Sequence, residues 1–412
     1  MAATVNDSEI TDHITGFLLR YFRAAVESGA KRPYLDAARD RDLLRLHWAF
    51  SPAVRDLATY VLQHRHEIQS MLTTTRRVHD GLMRGRLDAR ATLLHRRMTG
   101  LATAMVSDEP QRSYNSGPNH VLIWVLMQAW SLGVRFAAML PDNATYRETL
   151  VETIRILDQV RRLQAISQIL SDSSTTTRPR SAAVLEAGRS RREIYRRAHD
   201  AYRTLLRIEA GDPETIEAML RQTLLAPLEV WRRYELAVAF SVAEALSAAG
   251  ERPLTLNLLM GDTGNSIADV GRYSLFWQSR TRYYRPYVLE PSEIIAAKIL
   301  RAYSLSMSSD RPDIVVVDTQ NDGVVAVIEV KYLTAEDATD RIRGAVDQLV
   351  RYARLYHPIE ETGPLLGRSL VAVSQGVDGL RTPEPIPPGV PMVCDFSAIR
   401  RGQLAAWVER VR

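Results

Sequence analysis

Cysteine is almost absent from this chain of 412 residues, since Cys394 is the only one. A single thiol excludes an intrachain disulfide and argues against a zinc site built on cysteines. Long apolar runs are missing as well, because the best, Val121 to Met127 with its neighbours, is too short to span a membrane and indicates a buried helix. The first residues, Met1 to Glu9, lack the pattern of a signal peptide. We therefore expect a cytoplasmic protein with no membrane partner.

A large excess of charge of one sign is missing too. The formal net charge is only +5, and nearly all of the positive side chains are arginines. Apolar residues make up 46% of the chain and charged residues 25%, which is ordinary for a globular protein. The small basic surplus permits a polyanionic partner but does not require one.

The length of the chain predicts two or three domains. Apolar residues recur at three- and four-residue spacing in the first half, where we see no β-rich module. We expect a helical N-terminal domain at residues 1–180, ending in a polar linker, and a helical connector at residues 181–250. Among the helices that this spacing predicts are Ile10–Val26, Pro52–Val78 and Pro118–Ala138.

The pattern changes after about residue 250. Runs typical of short strands appear at Leu254–Met260 and Arg272–Gln278, and Ser292 is a suitable cap for a helix over Glu293–Tyr303. Two apolar strands, a helix over Arg341–Tyr356 and two further strands follow. This order predicts an α+β protein in which residues 251–412 form an α/β domain.

Two apolar runs in this domain carry charged residues at their ends. Asp313 begins the first run, and Glu329 and Lys331 end the second, with the turn Asn321–Gly323 between them. The turn predicts a hairpin that brings Asp313 near Glu329, and the two-residue period of a strand places Glu329 and Lys331 on one face. Two carboxylates beside an ammonium group can hold Mg²⁺ and orient or deprotonate an attacking water. We expect Mn²⁺ to substitute for Mg²⁺.

A structural interpretation of these residues must be weighed against the catalytic one. An Asp followed by Glu-x-Lys is common by chance, and exposed Glu–Lys pairs occur on many strands. Strands this apolar are central, however, and central strands seldom carry Glu and Lys without a function. Gln348 lies on the following helix, where we expect it to hold substrate or the site itself. Asp318 and Asp322 are predicted to be turn residues.

Other residues are candidates with open alternatives. Glu293 is either a third metal ligand or an acid that favours the start of its helix. The segment Arg280–Arg285 interleaves arginines with tyrosines, so Arg280 and Arg282 could contact phosphates, while its tyrosines could equally be packing residues. Tyr352 is a further candidate for nucleic-acid contact.

The set Asp313, Glu329 and Lys331 resembles the motif of the PD-(D/E)xK nucleases. Gln348 and Tyr352, one helical turn apart, resemble the helix of the RecB-like branch of that group. The resemblance implies a restriction-endonuclease-like domain and metal-dependent hydrolysis of phosphodiesters.

Three upstream segments resemble the McrC family, the nuclease subunit of McrBC-type restriction systems. They are Gly85–Leu93, Ser113–Leu122 and Trp231–Leu236, and with the nuclease motif the similarity runs from about residue 80 to about residue 360. His120 stands where the family has arginine, and we expect Tyr234 and Glu235 to brace helices. The resemblance implies DNA cleavage in restriction or antiphage defence with an AAA+ GTPase or ATPase partner.

The sequence thus predicts a magnesium-dependent DNA endonuclease, with homo-oligomerisation left open. Two alternatives remain at this point. One is a non-catalytic subunit that uses the nuclease fold as a DNA-binding module or scaffold, and the other is an RNA nuclease.

Overall fold

The structure, a computed structural model, describes most of the chain. The described residues are 6–27, 37–138, 147–171, 177–250, 252–257, 266–279, 281–283, 291–303, 311–333, 338–357, 362–376 and 385–412.

Helices occur along the whole described chain. In order they are α1 (Asp7–Glu27), α2 (Ala37–Ala49), α3 (Pro52–Gln63), α4 (Ala89–Thr99), α5 (Gly117–Ala137), α6 (Arg147–Arg161), α7 (Gln164–Leu170), α8 (Ser181–Arg189), α9 (Glu193–Glu209), α10 (Pro213–Leu220), α11 (Val230–Gly250), α12 (Pro291–Ala302), α13 (Ala338–Tyr356), α14 (Thr362–Arg368), α15 (Phe396–Arg400) and α16 (Leu404–Val411). A 3₁₀ turn lies at Arg65–Glu67 and a π-helical turn at Arg221–Leu225.

The strands form two sheets. In chain order they are β1 (Met71–Asp80), β2 (Arg86–Leu87), β3 (Ala104–Ser113), β4 (Leu254–Leu256), β5 (Ala268–Val270), β6 (Tyr273–Trp277), β7 (Ile314–Asp318), β8 (Gly323–Lys331), β9 (Leu370–Val373) and β10 (Met392–Asp395). The smaller sheet has the order β1-β3-β2, and the larger has the order β10-β9-β8-β7-β6-β5-β4.

Contacts divide the chain into two compact units, each discontinuous in sequence. The first comprises residues 1–51, 135–151 and 207–412, and the second comprises residues 52–134 and 152–206. The expected segments 1–180 and 181–250 are therefore divided between the two units, whereas residues 251–412 all fall in the first unit. The first unit is discontinuous because α1 packs against α11.

The second unit corrects one prediction about the first half of the chain. A helix over Pro52–Val78 was predicted, but α3 ends at Gln63 and β1 begins at Met71 in an antiparallel pair with β3. The run Thr73–Thr75 explains the error, because β-branched side chains favour a strand even where apolar spacing suggests a helix. The expectation of helices throughout this half is therefore wrong for β1, β2 and β3, which form a three-stranded sheet.

The apolar helix α5 also lies largely in the second unit. It is long and apolar enough to cross a membrane by length and composition, with a mean hydropathy of 1.3, but 56% of that stretch is buried inside the protein. Val121, Leu122 and Ile123 are fully buried. This burial is the behaviour of a core helix and agrees with the interpretation of Val121–Met127 from the sequence.

The larger sheet belongs to the first unit and is mixed. Strands β4 to β8 pair antiparallel, whereas β8 pairs parallel with β9 and β9 with β10. The parallel pairing follows from the connection, since α13 and α14 lie between β8 and β9 and carry the chain back along the sheet. The α+β class predicted from the sequence is confirmed.

Two helices cover opposite faces of this sheet. On one face, three neighbouring side chains lie side by side across β6, β7 and β8, namely Phe276, Val315 and Val327. They belong to a core cluster that includes side chains of α13. Trp277, the next residue along β6, points to the other face and donates its indole N–H to Glu235 of α11. The sheet is therefore packed between α11 and α13, and its central strands are buried on both faces.

A buried histidine links α2 to the π-helical turn of the same unit. Thr223 donates its hydroxyl to the carbonyl of Met219 at 2.8 Å, so the 2.9 Å contact between its Oγ1 and His47 Nδ1 requires the imidazole to donate. His47 is fully buried, and its Nε2 has no hydrogen-bond partner among the described residues. Burial lowers the pKa of His47 to about 4.

We expect His47 to make unfolding pH-dependent. The unfolded ring titrates near its ordinary value, whereas the folded ring stays neutral down to about pH 4, so the stabilisation is complete above the unfolded pKa and falls with pH below it. The free energy of unfolding should drop by about 2 kcal/mol more between pH 7.5 and pH 5 than in His47→Gln. Urea titrations of both proteins at the two pH values measure this, and parallel pH dependences would refute it.

Candidate functional site

The antiparallel pairing of β7 and β8 brings the predicted carboxylates together. Ile314 pairs with Ile328, which places Asp313, just before β7, beside Glu329. The backbone N–H of Val330 donates to Asp313 Oδ2 at 2.8 Å and fixes that carboxylate against β8. The hairpin predicted from the sequence is confirmed.

Glu329 and Lys331 project from the same face of β8. Lys331 Nζ forms an ion pair with Glu329 Oε1. The Glu329 side chain is 2% exposed and the Lys331 side chain 21% exposed, so the carboxylate is buried and the lysine side chain is partly exposed. The pair therefore forms a charged site at the end of a buried strand.

The two carboxylates perturb each other. Burial raises the pKa of Glu329 to about 8, with the charge of Asp313 as the next cause and Lys331 opposing both. Burial also raises the pKa of Asp313, against the effects of Lys331 and the Val330 N–H. Two acids held together out of water need a shared proton or a cation between them.

A third buried acid was not predicted as part of the site. Glu235 is 4% exposed on α11, and its Oε2 accepts hydrogen bonds from Trp277 Nε1 at 2.9 Å and Gln278 Nε2 at 2.6 Å. Burial, followed by the charge of Asp313, raises its pKa well above the usual range. Sequence reasoning assigned Glu235 to bracing helices. The available signal was an acid directly before the buried apolar run Leu236–Phe240.

The helix α13 places Tyr352 over the pair. Tyr352 is 3% exposed in the core cluster, and burial raises its pKa, with the charges of Glu329 and Asp313 as further causes. A ring this buried is a packing residue of the site and is not accessible for stacking on a base. Gln348, predicted to act with it, is half-buried one turn earlier on α13.

Glu293 lies apart from this centre. It is in the first turn of α12, and its Oε2 is 3.8 Å from Arg354 Nη1 of α13. Among the residues that the structure describes, no three His, Cys, Asp or Glu side chains form a group that could hold a metal ion. Glu293 therefore does not complete a three-residue set with Asp313 and Glu329.

Of the two arginines predicted to contact nucleic acid, Arg282 lies near the hairpin turn and Arg280 lies outside the described residues. Arg282 is exposed and pairs with Asp322, which also accepts the hydroxyl of Tyr283. Tyr283 packs on the core cluster, in agreement with the packing alternative for this tyrosine.

The Asp313–Glu329 pair fits a hard divalent cation. Glu329 Oε2 is buried and accepts no hydrogen bond from any described residue, so one acceptor of the pair is left over. Mg²⁺ commonly takes one or two carboxylates from a protein and keeps several waters, and Mn²⁺ accepts the same ligands. Asp313 and Glu329 are thus the residues that could hold such an ion.

Comparisons with known proteins identify no family. No protein-family model matches the chain. No curated protein matches it. Among solved structures it is similar to a refined half-complex from a tetradecameric assembly of Thermococcus gammatolerans McrB AAA+ hexamers with bound McrC. The match covers 96% of this chain and 75% of that chain, with 12% sequence identity and a TM-score of 0.25. A TM-score this low supports no conclusion about fold or function.

Asp318, at the opposite end of β7, provides a contrast to Asp313. It is fully buried, its Oδ2 lies 3.2 Å from Arg272 Nε, and its Oδ1 accepts the backbone N–H of Gln320 at 2.9 Å and of Asn321 at 3.2 Å. Asp318 lies at the far end of the hairpin from the site, as predicted, but it is the last residue of β7 and holds the turn through its carboxylate instead of lying in the turn itself.

We expect opposite effects from neutralising the two aspartates. Asp313→Asn should raise the free energy of unfolding of the metal-free protein by about 1 kcal/mol, because repulsion with Glu329 is relieved. Asp318→Asn should lower it by about 2 kcal/mol, because charge-assisted hydrogen bonds are lost. Urea denaturation with EDTA at pH 8 measures both, and destabilisation by Asp313→Asn would contradict the charge assignment.

Proposed function

We propose that this protein is a metal-dependent endonuclease that hydrolyses phosphodiester bonds in DNA. The observation that carries the proposal is the meeting of Asp313 and Glu329 from adjacent strands with Lys331 on the same face. Three such groups have little use in a structural hairpin, since burying them without a ligand costs stability.

The order of elements supports a PD-(D/E)xK core as part of this proposal. α12 precedes the β7–β8 hairpin, and α13 and the parallel strand β9 follow it. The carboxylates lie at the ends of central strands, and α13 places Gln348 and Tyr352 on the side of the sheet that Glu329 faces. We assign residues 251–412 to this core.

The chemistry would divide among the residues of the site as follows. Mg²⁺ held by Asp313 and Glu329 would polarise a phosphate oxygen and acidify a bound water. Lys331 Nζ, which contacts Glu329 from a partly exposed side chain, would orient the attacking water and offset the negative charge that grows on the pentacovalent phosphate. The water oxygen would bond to phosphorus as the bond to the leaving sugar oxygen breaks, and the proton lost by the water and the proton taken up by the leaving oxygen would be exchanged with solvent.

The biological role and the partner rest on the McrC-like motifs. A McrC-like subunit would act in restriction or antiphage defence beside an AAA+ GTPase or ATPase. The adjacent reading frames test this part of the proposal, because an AAA+ GTPase with McrB-like motifs encoded there would support the partnership.

Removing the ammonium group should abolish cleavage. We expect Lys331→Ala to cut DNA at least about 100-fold more slowly, because charge stabilisation of this kind is worth that much in other hydrolases. Lys298→Ala, which changes an exposed lysine on α12, is the matched control and should cleave normally. Circular dichroism should show both variants folded. Undiminished cleavage by purified Lys331→Ala would sink the catalytic assignment.

Metal removal separates the proposal from its rivals. EDTA should stop cleavage, and Mg²⁺ or Mn²⁺ should restore it, because the carboxylate pair has the ligands these ions prefer. Calorimetry should show Mn²⁺ binding to the wild type and a loss of binding in Asp313→Asn.

Two experimental outcomes would favour an alternative function. No binding of Mg²⁺ or Mn²⁺ and no cleavage would favour a non-catalytic DNA-binding or scaffold subunit. Preferential cleavage of RNA when DNA and RNA compete would indicate an RNA nuclease.

A further inference from the structure

Gln278 has a backbone conformation that its residue type disfavours. It follows the last residue of β6 and has a φ of +48°, in the left-handed region where a Cβ atom is crowded. Asp322 is the other non-glycine residue with positive φ in the described chain, at +51°. Asp322 lies in the hairpin turn, where such angles are expected, but Gln278 does not. A residue keeps such a conformation where its surroundings determine it.

Three hydrogen bonds determine the conformation of Gln278. Its backbone N–H donates to the carbonyl of Asp313 at 2.8 Å. Its side-chain Nε2 donates to Glu235 Oε2 at 2.6 Å, and its Oε1 accepts from Arg311 Nη2 at 2.9 Å. Gln278 therefore connects the carboxylate of Glu235, the backbone of Asp313 and the guanidinium group of Arg311.

The left-handed conformation makes this connection possible. Successive side chains of an extended strand point to opposite faces. Trp277 points to the α11 face and donates to Glu235, so an extended Gln278 would point toward α13. The left-handed turn instead brings the side chains of two consecutive residues to the same carboxylate.

We propose that Gln278 is a positioning residue of the carboxylate centre. Its backbone N–H holds the carbonyl of Asp313, and its side-chain amide holds the carboxylate of Glu235 and the guanidinium of Arg311 in fixed positions around that aspartate. Through both, it sets the cation affinity of the Asp313–Glu329 pair. This inference rests on the proposed function only in taking that pair as a cation site.

The test uses Gln278→Gly in the full chain. Glycine accepts positive φ and keeps the backbone N–H, so only the side-chain amide is lost. We expect Mn²⁺ affinity by calorimetry to fall about 10-fold or more, as for other residues that orient metal ligands, while the melting temperature stays the same or rises. In cleavage assays the rate at saturating DNA should fall with the KM for DNA unchanged.

Two variants control for backbone and folding effects. Asp322→Gly makes the same backbone change in the hairpin turn and should leave Mn²⁺ affinity unchanged. Gln278→Asn keeps an amide and tolerates the left-handed conformation, so it should retain more affinity than Gln278→Gly. If Gln278→Gly fails to fold, a loss of affinity in folded Gln278→Asn decides the question.

The results for this inference and for the nuclease proposal can be told apart. Wild-type Mn²⁺ affinity in Gln278→Gly overturns the positioning role, whether or not DNA is cleaved. A wild type that binds no Mn²⁺ overturns it as well. A wild type that binds Mn²⁺ but cleaves nothing, with weaker binding in Gln278→Gly, overturns the nuclease proposal and supports the positioning role.

Discussion

The site depends on the register in which β7 pairs with β8. Both strands are buried on both faces, so a shift by one residue would not expose a polar face and burial alone cannot select the register. The turn must select it, and Asp318 holds the turn by accepting the N–H groups of Gln320 and Asn321. Asp318, at one end of β7, thereby determines that Asp313, at the other end, lies beside Glu329.

An irregularity in β8 adjusts the same pairing. Val316 pairs with Ala326 but Val317 pairs with Val324, so Val325 has no partner. A bulge of this kind interrupts the alternation of faces. Val324 and Val327 consequently share the core cluster beneath α13. Glu329 lies two residues after Val327, so its side chain also faces that helix. Because of the bulge, residues at both ends of β8 contribute to the same face of the sheet.

Local patterns in the sequence predicted the hairpin because everything that determines it lies within the segment Asp313–Lys331. Turn residues, apolar runs and the two-residue period act over short distances. Glu235 could not be placed this way, because its role comes from the packing of α11 against a sheet that the chain forms much later. The bulge at Val325 leaves no mark in the apolar run Val324–Ile328, and the positive φ of Gln278 contradicts its residue type.

The burial of acids distinguishes structure from function in this fold. Asp318 is fully buried and has an arginine and backbone donors as partners, so its charge contributes to stability. Glu329 is as well buried, yet it faces Asp313 and keeps one oxygen without a donor among the described residues. A fold gains nothing from such an arrangement, since hydrogen-bonded or apolar side chains would be more stable there. The stability given up at the Asp313–Glu329 pair is therefore the best physical reason to place a ligand there.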